Sequence, residues 1–156
     1  MVKSTLSEVI EKVDQYMLNG ISPLLSSDLV HVLMDMGHGD EIVLANANFP
    51  AHSNAKRLLK ADGINLTDLL RAILMHFPLD SYVQDNAFVL AVPQGEPEPL
   101  VWFDFETQLS SASDKGLTRI SKDDFFARAA SAFAIVSSGE TRLRSNIIIR
   151  KGVVLP

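Results

Sequence analysis

The chain has 156 residues, of which 47% are apolar and 21% are charged, a balance typical of one folded domain rather than of a disordered segment. Its net charge of −5 disfavours an electrostatic nucleic-acid binder, and the lack of cysteine excludes disulfides, thiolate zinc sites and a cysteine nucleophile. Charged residues interrupt the first twenty positions, and the apolar runs elsewhere are far shorter than a bilayer span. We therefore expect a cytoplasmic protein without nucleic-acid or membrane partners.

Apolar periodicity and turn residues predict helices that alternate with short buried strands. We expect an amino-terminal helical extension within residues 1–19, whose apolar stripe covers residues 5–18, and a single domain over residues 20–156. Helices of the domain are expected to begin at the Ser26 to Asp28 cap, at Ser53 (as a short helix through Lys60), at Thr67, at Val101 and at Ser121. The predicted strands cover residues 41–46, 87–92, 117–120, 133–136 and 146–149. This alternation indicates an α/β fold with helices on both faces of a sheet.

Two polar loops flank the predicted strand 41–46. GHGDE precedes it at residues 37–41, and NANFPAHS follows it at residues 46–53. Ligands of α/β sheets bind outside the carboxyl ends of strands, which favours Asn46 and Asn48 as binding groups. His38 lies between two glycines, where the backbone can approach a ligand, although a histidine that only ends a helix is the alternative.

A third polar cluster, RLRSN at residues 142–146, precedes the last predicted strand. Its alternative reading is a solvated hairpin with ordinary surface arginines. Taken together, the residues predict one polar pocket built from His38, Asn46, Asn48 and the segment 144–146.

A metal site is an alternative use of these polar residues. His38, Asp40, Glu41 and His52 offer nitrogen and oxygen ligands, but no pair among them has a diagnostic spacing. The spacing of these residues therefore gives little support to a metal site.

Longer motifs in and around these loops resemble the ribose pyranase and fucose mutarotase family. The resemblance extends from residue 21 to residue 153 and favours the fucose branch. Its markers are ISPLL (21–25), MGHGDEI (36–42), NFPAHS (48–53), ADG (61–63), PLDSY (78–82), AFAIV (132–136), GE (139–140) and KGV (151–153).

The resemblance implies a three-layer α/β/α sandwich with a mostly parallel central sheet. It also implies an isomerase, a mutarotase that interconverts the anomers of a monosaccharide such as L-fucose by acid/base ring opening, without cofactor or metal. Family members form rings, often decamers, with pockets near subunit contacts, so we expect a ring-shaped homo-oligomer of five or ten copies. The positive mean hydropathy of +0.15 points weakly toward the same buried contacts.

Site residues also follow from the resemblance. It places the proton donor at His38 and the sugar-binding groups at Asn46, Lys122, Arg144, Ser145 and Asn146. We expect Asn48 and His52 to shape the pocket.

Two pocket positions depart from the family pattern, with Asn46 in place of Asp and Arg144 in place of Tyr. Both exchanges add positive charge, about two units in all, which predicts an acidic sugar such as a uronate. If Arg144 points away, the pocket takes a neutral sugar. Because an Asn side chain cannot accept a proton as a base, a non-catalytic monosaccharide-binding protein of the same fold is the alternative function.

Overall fold

The computed structural model describes residues 17–156, which form a six-stranded mixed sheet with helices on both faces. The strands are β1 (Glu41–Ala45), β2 (Leu58–Ala61), β3 (Ala87–Leu90), β4 (Thr118–Ile120), β5 (Ala134–Ser138) and β6 (Ile147–Arg150). The helices are α1 (Ser27–Asp35), α2 (Ala51–Asn54), α3 (Leu66–Leu74), α4 (Val101–Ser110) and α5 (Lys122–Ser131). The predicted amino-terminal helix lies outside the described residues except at Met17 and Leu18, which are not helical.

The strand order is β2-β5-β1-β6-β3-β4. β1, β5 and β2 run parallel to one another, as do β3 and β4, whereas β6 is antiparallel to its neighbours β1 and β3. Leu44 of β1 pairs with Val136 on one side and with Ile147 on the other. The predicted mostly parallel sheet is therefore confirmed, with one antiparallel strand at its centre.

Alternate residues of each central strand pack on opposite faces of the sheet. Ile42 and Leu44 belong to the core formed with α1, α3 and α4, while Val43 and Ala45 face the core formed with α2 and α5. The predicted α/β/α sandwich is confirmed by these two cores. Within residues 17–156, no helix is long and apolar enough to cross a membrane.

The expected short helix from Ser53 through Lys60 is wrong. Helix α2 ends at Asn54, and the residues that follow form the edge strand β2, in which Leu59 pairs with Val136. The Arg57 side chain secures the start of this strand, since it donates to the carbonyl of Phe133 and stacks on its ring. Pairing with the distant strand β5, rather than local propensity, decides the conformation of this segment.

Of the four predicted helix caps, those at Ser26 and Ser121 are confirmed, and those at Ser53 and Thr67 are wrong. Ser26 accepts from the Leu29 N–H and Ser121 from the Asp124 N–H, each at 3.1 Å. Helix α3, however, is capped by Asn65 rather than by Thr67, because the Asn65 Oδ1 accepts from the N–H of Asp68. Asn and Thr are both good capping residues, so local sequence does not choose between them.

A buried carboxylate fixes the connection between β5 and β6. Glu140 is only 3% exposed, and it accepts hydrogen bonds from the Arg142 guanidinium and from the N–H of Leu66 at the start of α3. The hydrogen bond from Arg142 is the main reason why the pKa of Glu140 falls to about 2. Arg142 also reaches Asp104 of α4, so residues 140–146 are held against two helices.

This carboxylate predicts a pH-dependent loss of stability. Because the folded-state pKa of Glu140 lies below its ordinary value of 4.5, its contribution is complete above that pH and is lost as the pH falls toward 2. We expect Glu140→Gln to lower the free energy of unfolding by about 2 kcal/mol at pH 7 and by less at pH 3. Urea unfolding at the two pH values measures this difference.

The matched control is Glu106→Gln, which changes a half-exposed glutamate that pairs with Arg119 at 3.5 Å. We expect it to change stability little at either pH, since exposed ion pairs contribute little. An equal loss for Glu140→Gln at both pH values would contradict the assigned role.

Candidate functional site

A cavity of about 320 Å³ lies at the carboxyl end of β1. The loop that follows β1, helix α5, the end of β3 and the segment before β6 form its walls. Its lining residues are Asn46, Asn48, Phe49, Pro50, Leu90, Phe126, Leu143, Arg144 and Asn146. A largely apolar wall with a few polar groups, in a volume of this size, is typical of a site for a small molecule.

Two linked amides form the polar floor of the cavity. The Oδ1 of Asn146 accepts from the backbone N–H of Asn46 at 2.7 Å, and the Oδ1 of Asn46 accepts from the N–H of Asn48 at 3.0 Å. Reversing either amide would set two donors against each other, so both orientations are fixed. Neither side-chain NH₂ group has a hydrogen-bond partner among residues 17–156, and each is therefore available to a ligand.

Arg144 lines the cavity, as the acidic-sugar hypothesis requires, but its charge is paired. Its Nη2 lies 2.6 Å from the Oε2 of Glu96, a residue of the loop that follows β3. Its backbone has a φ of 57°, and its carbonyl accepts from the Nε1 of Trp102 at 2.9 Å, which anchors this strained residue to α4. Glu96 thus offsets part of the predicted positive charge of the cavity.

The remaining predicted binding residues do not line the cavity. Ser145 is buried, and its hydroxyl donates to the carbonyl of Arg142 at 2.6 Å. This hydrogen bond stabilises the turn formed by residues 142–145. Lys122 is exposed in the first turn of α5, and His52 is exposed on α2. Of the predicted residues, the structure therefore brings together Asn46, Asn48, Arg144 and Asn146.

His38 lies at the opposite end of β1. It belongs to the loop that precedes this strand, whereas Asn46 directly follows it, and the five residues between the two loops span about 16 Å. The expectation of one pocket containing both His38 and Asn46 is therefore wrong for a single chain. Loops before and after a strand necessarily emerge at its two ends.

His38 is held there by a buried aspartate, Asp80, for which the sequence pattern predicted no role. The Nε2 of His38 lies 3.0 Å from the Oδ1 of Asp80, and the Oδ2 of Asp80 accepts from the Nε of Arg150 at 2.9 Å. Burial by itself would raise the pKa of Asp80, but hydrogen bonds from Arg150, His38 and the Tyr82 N–H lower it to about 2.

An ionised carboxylate only accepts hydrogen bonds, so the hydrogen of the imidazole must be on Nε2 in this contact. The Nδ1 of His38 is then the nitrogen that can exchange a proton with a ligand. The side chain of His38 is 47% exposed, whereas that of Asp80 is fully buried.

The glycine after His38 leaves room for Arg150. Gly39 has a φ of 89°, and a Cβ at this position would lie 3.1 Å from the Nη2 of Arg150. The group close to the backbone here is thus a side chain of the same chain, and the approach of a ligand to this loop stays a prediction. Among residues 17–156, no group of three or more histidine, aspartate or glutamate side chains is arranged to hold a metal ion.

Comparison with known proteins identifies the family of this chain. The RbsD / FucU transport protein family matches residues 19–154. This chain belongs to that family. It is 44% identical to a fucose mutarotase from Streptococcus pneumoniae solved in complex with L-fucose, with a TM-score of 0.85 over 88% of this chain and 100% of that one. The FucU protein of Bifidobacterium longum is 32% identical, with a TM-score of 0.83 over 88% of this chain and 100% of that chain.

The family fold extends to more distant structures. RbsD of Bacillus subtilis, solved in complex with D-ribose, is 20% identical, with a TM-score of 0.69 over 90% of this chain and 100% of that chain, and it supports the fold alone. In this RbsD/FucU chain, the sheet carries two polar sites. One end holds the cavity that Asn46, Arg144 and Asn146 line, and the other holds the contact between His38 and Asp80.

Proposed function

We propose that this chain is a cytoplasmic sugar mutarotase, an isomerase that interconverts the anomers of a monosaccharide without cofactor or metal. The observation that carries the proposal is the contact between His38 and the buried carboxylate of Asp80, which leaves the Nδ1 of His38 open for proton transfer. The 44% identity to a fucose mutarotase supports the same reaction, with L-fucose or a related sugar as the substrate.

The reaction needs an acid and a base but no change of oxidation state. A base takes the proton of the anomeric hydroxyl, the bond between C1 and the ring oxygen breaks, and an acid protonates that oxygen. Rotation about the C1–C2 bond and closure by the reverse steps give the other anomer. We assign the acid to His38 and the base to a water molecule, because the amide of Asn46 cannot accept a proton.

We further propose that the reacting site forms between two copies of the chain. The His38–Asp80 pair of one copy would complete the cavity of its neighbour, because the two parts are separated by the length of β1 within one chain. Apolar side chains at both places support this contact. Tyr82 packs beside His38 and Leu143 lines the cavity, and each is 71% exposed. A head-to-tail contact of this kind closes into a ring when its rotation allows, and the family resemblance implies five or ten copies.

Exchange NMR on a panel of fucose, ribose, galactose and glucuronate tests the proposal. We expect faster anomer exchange for at least one sugar, and we expect His38→Ala to lower the rate by about 100-fold or more, as for loss of a general acid. The matched control is His31→Ala, an exposed histidine of α1 whose contact is Asp35. We expect this control to behave as the wild type does, and equal rates for both variants would contradict the role of His38.

A sugar-binding protein without catalysis is the second candidate. The amide at Asn46 favours it, since the oxygen of this side chain is already bound to the N–H of Asn48 and no base remains there. Binding of a sugar by the wild type without faster anomer exchange would support this candidate over the mutarotase.

A further inference from the structure

The side chains fixed in the polar floor of the cavity present hydrogen-bond donors. The oxygens of Asn46 and Asn146 are held by backbone N–H groups, so the NH₂ groups of both amides are the parts left for a ligand. Arg144 adds guanidinium donors to the same cavity. A carboxylate on the ligand only accepts hydrogen bonds and would match all three groups, whereas a sugar hydroxyl would leave its own O–H unmatched by them.

We propose that this cavity selects a monosaccharide that carries a carboxylate, a uronic acid, over the neutral sugar of the same stereochemistry. The inference rests on the proposed function in one respect, namely that the cavity binds a sugar. Asn46 is its central residue, because an aspartate held by the same N–H of Asn48 would present a negatively charged oxygen to the ligand and repel its carboxylate.

The ion pair between Arg144 and Glu96 tunes this selection. Glu96 occupies one Nη atom of the guanidinium, and the other N–H groups of Arg144 stay available to a second carboxylate. Both side chains of the pair are partly exposed, and such pairs are weak, so a ligand can compete with Glu96. Glu96 nevertheless opposes an anionic ligand, and its removal should tighten binding of the acid.

Apolar side chains beside the donors strengthen their effect. Phe49 stacks on Phe126 with 5.3 Å between ring centroids, and both rings line the cavity together with Leu90. A charged hydrogen bond beside such groups is less screened than one in water. The same rings offer an apolar face to the C–H groups of a sugar ring.

Calorimetric titration with sugar pairs that differ only at C6 tests the inference. The probes are D-galacturonate against D-galactose, and D-glucuronate against D-glucose. For at least one pair, we expect the wild type to bind the acid about tenfold or more tightly than the neutral sugar, since a charged hydrogen bond is about twice as strong as a neutral one. The preference should shrink as the salt concentration rises.

Three variants assign the preference to the cavity. We expect Asn46→Asp and Arg144→Leu each to reduce the acid-to-neutral ratio about tenfold, while Glu96→Gln increases it several-fold. Gln108→Glu is the control, because it adds the same charge on α4 at a residue that does not line the cavity. This control should leave the ratio unchanged, and thermal unfolding confirms that each variant is folded.

The outcomes separate this inference from the proposed function. Equal or tighter binding of the neutral sugars, or no detectable binding of any acid, overturns the selection of a uronic acid. A ratio that Asn46→Asp and Arg144→Leu both leave unchanged overturns it as well. Failure of the mutarotase proposal would give a different result. The acid would then bind, but no anomer exchange would depend on His38.

Discussion

Mixing His38→Ala with Asn46→Leu chains should restore anomer exchange that neither variant has alone. His38→Ala keeps an intact cavity, and Asn46→Leu keeps an intact His38–Asp80 pair at the other end of β1. In a mixed ring, a cavity from the first variant can meet a histidine from the second. With equal amounts and random assembly, about a quarter of the sites contain both intact parts, so activity should reach about a quarter of the wild-type value.

The experiment requires mixed assemblies, which co-expression with two affinity tags and tandem purification provides. The control replaces the second partner by the double variant His38→Ala/Asn46→Leu, which leaves every site without the histidine and should give no activity. Inactive assemblies that demonstrably contain both single variants would argue for a site contained within one chain. The test is independent of ring size, since it counts only contacts between neighbours.

Asp80→Asn should lower kcat by about 100- to 1,000-fold, because it removes the carboxylate that orients His38. The amide that replaces the carboxylate can turn an NH₂ group toward the Nε2 of His38, which would move the imidazole hydrogen to Nδ1. It also removes the negative charge that stabilises the protonated ring and that pairs with Arg150. Because Asp80 is fully buried, we expect KM to change much less than kcat.

A pH titration of the same variant adds a second readout. The pKa of Asp80 falls from 3.8 to about 2 in the folded chain, so the carboxylate stabilises the fold above about pH 4, and this contribution is lost toward pH 2. Asp80→Asn should therefore show a smaller loss of stability on acidification than the wild type. The control is Asp62→Asn, an exposed aspartate beside Lys60. A kcat equal to that of this control would refute the positioning role of Asp80.

Most of the fold could be predicted from the sequence because its signals are local. The caps at Ser26 and Ser121 mark two helices, and the apolar runs around Val43 and Ile148 mark two buried strands. Strand β2 was missed because pairing with β5, a contact between residues far apart in the sequence, decides its conformation. Local propensity carries no information about such a partner.

The site could be predicted only in parts. Asn46, Arg144 and Asn146 meet as expected, because loops at one end of a sheet converge. His38 is separate from these residues because it precedes β1, whereas Asn46 follows that strand. This order could be read from the sequence. The roles of Asp80, Glu96 and Arg150 depend on contacts across 42, 48 and 70 positions of the chain, and no spacing rule reaches so far.

The antiparallel strand β6 holds the two sites at a fixed distance from each other. Asn146, in the cavity, directly precedes it, and Arg150, behind the histidine, is its last residue, so four residues of about 13 Å connect both ends. Pairing with β1 and β3 locks the strand on both sides. In a closed ring, each copy would contribute its histidine to one reaction centre and its cavity to the next. The length of this strand would then set the spacing of successive centres, and a residue inserted in β6 would misalign them.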